Sequence, residues 1–165
     1  MDFGEGENPD GDKFIYTSSK LALSIPSGGD LAVLAFEDFT KEGANTKWFP
    51  KQLTNHNWYH IYDQSLRSDE KIRPTMVEIE FKSSTAQLIK GGETIKMNWS
   101  IDDEKLILMR SNNSAPPIQL IKTISDDHIF LVKDGASMHP SLLVNDKNLA
   151  DYILNYWQNL LINQL

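Results

Sequence analysis

Between Thr75 and Lys133 the apolar residues recur at every second position or in short unbroken runs, and turn-forming pairs interrupt them at near-regular intervals. Val77, Ile79 and Phe81 alternate with Glu78, Glu80 and Lys82, the period of two that gives a strand one buried and one wet face. Ile95, Met97, Trp99 and Ile101 alternate still more cleanly with Thr94, Lys96, Asn98 and Ser100. Gly91-Gly92, Asp102-Asp103, the Ser111 to Pro117 stretch and Ser125-Asp126-Asp127 supply the turns between the predicted strands. Seven or so strands run from Trp58 onward, the first of them Trp58 to Asp63. Their connections are too short for a helical crossover, so neighbours are expected to pair antiparallel as a meander.

The flanks follow other patterns. Phe14 to Thr17 and Leu21 to Ile25 read as strands; beyond Pro26-Ser-Gly-Gly-Asp30, Leu31 to Phe36 is apolar throughout and suits a doubly buried strand or a short core helix, the strand being preferred for the flanking glycines. Thr40 to Thr54 shows no period, and Gln64 to Pro74 is a charged connection. At the other end Leu149, Tyr152, Ile153, Tyr156, Trp157, Leu160 and Leu161 recur every three or four residues. That spacing predicts an amphipathic helix from about Asn148 to near Leu165, with Asn145 or Asp146 as N-cap. Its apolar stripe must dock on the sheet or plug one end of a barrel.

The fold class expected is therefore mainly β: an antiparallel meander curled into a barrel or half-barrel, with a C-terminal amphipathic helix packed on it. A chain of 165 residues, 40% hydrophobic, can bury one core without staples, so residues 13–165 are expected to form a single β-rich domain. Residues 1–12, with Gly4, Gly6, Pro9 and Gly11 among acidic neighbours, have the composition of a flexible tether. If Met1 is native the chain is expected in the cytoplasm, and if a leader has been removed, in the cell envelope or outside the cell.

Charge and chemistry narrow the function classes. A net charge of -7 repels polyphosphate and anionic membrane, which argues against nucleic acid as a partner and leaves a basic protein possible. No segment reaches the roughly 20 apolar residues of a membrane span. The absence of cysteine removes thiolate nucleophiles and thiolate metal sites. His56 and His60 lie four apart without a third ligand at a completing spacing, which favours ordinary rim histidines over a metal site. Ser137-Met-His139 has no orienting acid, Gly28-Gly29 lacks the Lys and helix of a phosphate loop, and the paired aspartates fall in turns. Asn98-Trp-Ser100 and Asn112-Asn-Ser114 match the glycosylation sequon, which has little meaning without a secretion signal. No enzyme, cofactor or metal is expected. Trp48, Trp58, Tyr59, Trp99 and Trp157 are the best hint of a ligand site, against the usual packing role of such residues.

From Trp58 through the meander the chain resembles the lipocalin-like domains of the calycin group, in their short bacterial form. Leu53 precedes Trp58, Trp99-Ser-Ile101-Asp102 precedes Lys105-Leu106, and Ile121 to Val132 looks like the closing hairpin, a match over residues 53–133. The chain departs from the family where His56 replaces a Gly and where three strand-like segments precede Trp58. The resemblance implies a calyx for a small apolar ligand, or a rim that engages another protein, with no catalytic residues to transfer. The candidate cavity is Phe81, Met97, Trp99, Ile101 and Trp58. Set beside this non-catalytic binding module is a second expectation, an acidic adaptor, inhibitor or toxin-neutralising protein that binds a more basic partner.

Overall fold

The computed structural model describes residues 4–7, 13–16, 21–24, 32–35, 47–63, 74–112, 115–125, 128–135 and 140–162. Gln64 to Arg73, the Ser137-Met-His139 loop, Gly28-Gly29 and Asp126-Asp127 lie outside these residues.

Eight consecutive strands form a closed antiparallel barrel. They are β5 (Asn57–Asp63), β6 (Pro74–Phe81), β7 (Thr85–Lys90), β8 (Glu93–Asp102), β9 (Lys105–Arg110), β10 (Ile118–Ser125), β11 (Ile129–Asp134) and β12 (Pro140–Val144). Each pairs antiparallel with the next, and β12 closes the ring on β5 through Leu142↔Ile61, Leu143↔His60 and Val144↔Tyr59. The expected meander and its side-chain alternation are present, and the ring is a full barrel. Gly91 and Gly92 have φ of 58° and 84°, the two left-handed positions that a tight turn between β7 and β8 requires.

Three expectations need correction. The β10–β11 hairpin forms, but it does not close the barrel; β12 does. No polar alternation marks the stretch Leu142–Val144 as a strand in the sequence, because all three side chains are buried. The stretch before β5 contains a short helix, α1 (Pro50–Thr54), opened by a proline in the first turn, where its missing N–H costs nothing. Within the segment expected as a tether, Gly4–Glu7 is a strand, β1, paired with β2 (Lys13–Tyr16); backbone pairing needs no apolar side chain. With β3 (Leu21–Ser24) and β4 (Ala32–Ala35) these make a separate four-stranded antiparallel sheet in the order β1-β2-β3-β4.

The apolar side chains sort into two cores by the alternation along the strands. Trp58, Val77, Ile79, Phe81, Met97, Leu106 and their neighbours fill the barrel. Ile61, Ile129, Leu131, Leu142 and Val144 face outward, where helix α2 (Lys147–Ile162) covers them with Leu149, Ala150, Ile153 and Trp157. The helix thus docks on the outer wall. Its N-cap is Asp146, whose Oδ1 accepts the Leu149 N–H at 3.0 Å.

Candidate functional site

The barrel has two unlike ends because α1 sits immediately before β5. At that end Trp58 packs on Phe130 with ring centroids 4.6 Å apart, and Trp48 meets the same ring edge-on at 5.6 Å. Polar bonds pin this layer: the Trp58 indole donates to the Leu53 carbonyl at 3.1 Å, and that of Trp48 to the Glu104 and Leu120 carbonyls, each at 3.2 Å. Lys122, only 1% exposed, ends among these rings. Its Nζ lies 4.8 Å from the Phe130 centroid and 5.2 Å from that of Trp48, with the Gln52 side-chain oxygen at 3.5 Å. Burial pushes its pKa down to about 8. This end is a packed plug.

All five residues of the candidate cavity belong to the one inner core, as the alternation required. They sit toward the plugged end, however. Trp58, Phe81 and Met97 are buried, while Trp99 and Ile101 are half-buried. The Trp99 indole meets Phe81 edge-on at 5.5 Å and donates to the Lys82 carbonyl at 2.8 Å. Phe81 and Trp99 also line an open groove of about 580 Å³ at this end, together with Pro50, Thr54, His56 and Lys82.

Toward the other end the inner wall changes character. Tyr62, Leu88, Ile95 and Ile118 pack on the inner core yet are only half-buried. Between them β5 and β12 bring in polar groups. His60 shares the inward register of Trp58 and Tyr62, and its Nε2 lies 2.9 Å from the Ser141 hydroxyl oxygen. The ring stacks on Tyr62, with centroids 4.9 Å apart. The Tyr62 hydroxyl in turn accepts from Lys90 Nζ at 3.4 Å. Although part of the residue reaches solvent, desolvation dominates at the imidazole: its pKa falls to about 4, against the opposing pull of Asp134. Asp134 shares the inward register of Phe130 and Val132 on β11.

His56 and His60 do not converge. His56 is exposed and stands edge-on to Trp58 at 6.3 Å, on the plugged side. Among the described residues no three His, Cys, Asp or Glu gather as a metal site would need, and no helix is long and apolar enough to cross a membrane. Ser141 and His60 stand at nucleophile–base distance, but an imidazole with so low a pKa has little driving force to take a serine proton near neutrality. What the pair does well is hydrogen-bond. Comparison with protein-family models, with curated proteins and with solved structures finds no match to this chain.

Proposed function

We propose that the chain is a non-catalytic binding module, lipocalin-like in architecture, whose barrel takes a small apolar ligand through the end opposite α1. One observation carries this reading. Apolar side chains on the inner wall, Leu88, Ile95 and Ile118 among them, keep solvent-accessible surface at that end, while Trp48, Trp58 and Phe130 are buried together at the α1 end. An eight-stranded barrel is just wide enough to be filled by its own side chains or to hold one small ligand. The strand order, with each strand beside its sequence neighbour and the last against the first, supports the resemblance to lipocalin-like domains.

The test is a titration with a hydrophobic dye, read by its own emission and by tryptophan fluorescence. Saturable binding is expected, and Ile95→Trp, which enlarges an inner-wall side chain at the open end, should weaken it at least tenfold while far-UV circular dichroism is unchanged. Binding indifferent to Ile95→Trp would place the dye on the outer groove and refute the reading.

A further inference from the structure

We propose that the ligand's polar end is a neutral hydroxyl, held by the Ser141–His60 pair on the inner wall, so that the barrel selects short apolar alcohols over the corresponding acids. This rests on the calyx reading above. The pair is amphiprotic. If Ser141 donates to His60 Nε2, the serine oxygen keeps lone pairs for a ligand O–H; if the imidazole N–H donates instead, the serine proton is free for a ligand oxygen. A hydroxyl can answer either state, and a carboxylate only the second.

Charge points the same way. Among the described groups, the one charge felt at the His60 ring is the carboxylate of Asp134, which shares the inward register of β11. Lys90 is exposed and turned to the Tyr62 hydroxyl and ring. Because His60 stays neutral at physiological pH, the pair offers no positive charge to a carboxylate, and Asp134 repels one. Desolvating an acid there is costly without a partner. The surrounding wall of Tyr62, Leu88, Ile95 and Ile118 suits a short alkyl body.

The experiment displaces a bound hydrophobic dye with octanol, octanoate and octyl methyl ether at neutral pH. Octanol is expected to compete about tenfold better than either, because of the three only octanol has an O–H to donate to the serine oxygen, the worth of one well-made hydrogen bond. Ser141→Ala should bring octanol to the ether's value, and Ser141→Thr, which keeps a hydroxyl, should restore the difference. Octanoate competing as well as octanol, or octanol no better than the ether, would overturn the inference and leave the calyx standing. If neither dye nor octyl compound binds saturably, the calyx itself falls and the inference with it.

Discussion

Lys122 is a cation whose pKa is lowered by burial among the aromatic rings of the barrel interior. Three rings, those of Trp48, Phe49 and Phe130, lie within 6.0 Å of its Nζ, and such contacts return only part of the desolvation cost. Its folded pKa of about 8 lies below the 10.5 of a free lysine, so between these values the unfolded chain binds the extra proton. Stability linked to this group therefore rises with pH across that window, by at most about 3 kcal/mol. Lys122→Met removes the linkage. At pH 7 the variant should be more stable than the native chain by about 1 kcal/mol, and urea titrations at pH 10 should show that advantage gone; an advantage unchanged with pH would contradict the account. The lysine's place was hidden in the sequence, since Ile118 to Ile124 reads as a strand whichever way Lys122 points. His60 was more legible, because Trp58, His60 and Tyr62 share one face of β5 by simple alternation. Its partner was not: Ser141 is 81 residues away and meets it only because β12 closes the ring.

At the scale of elements the alternating strands were readable and the doubly buried ones were not. β8 shows its apolar and polar faces because its outer side is wet. The described central part of β12, and β11 from Ile129 to Val132, are buried on both sides, inward by the barrel core and outward under α2, so neither shows an alternation and only the preceding turn marks β11 in the sequence. The helix was legible from its stripe, but the choice of wall over plug was not, for that depends on which strands expose apolar outer faces. Trp157 is 1% exposed in this outer core. Trp157→Ala should cost about 3–5 kcal/mol by transfer and cavity terms, and Asp146→Ala about 1 kcal/mol by loss of the N-cap bond. Chemical denaturation of both variants checks the order; an equal, small cost would mean that α2 contributes little to holding the barrel wall.

For the whole molecule, the decisive fact is that the ring is complete without the first four strands. β5 to β12 satisfy one another's edges, and the four-stranded sheet β1-β2-β3-β4 shares no strand pairing with them. A closed barrel has no open edge to be paired from outside. The residues that pack its α1 end begin at Trp48, whose indole donates to the carbonyls of Glu104 and Leu120. A chain starting at residue 47 thus holds every strand of the barrel, both helices and both cores named above. It should unfold in one cooperative step, with the native near-UV dichroism of Trp48, Trp58 and Trp157, and it should bind the dye with an affinity within about threefold of the full chain, a difference of less than 1 kcal/mol. Starting instead at residue 57 removes Trp48 and α1, exposes Lys122 and the Trp58–Phe130 layer at that end, and should abolish cooperative unfolding. If the first truncation behaved like the second, the barrel would depend on its N-terminal sheet, and the expectation of one indivisible domain would replace the self-contained ring.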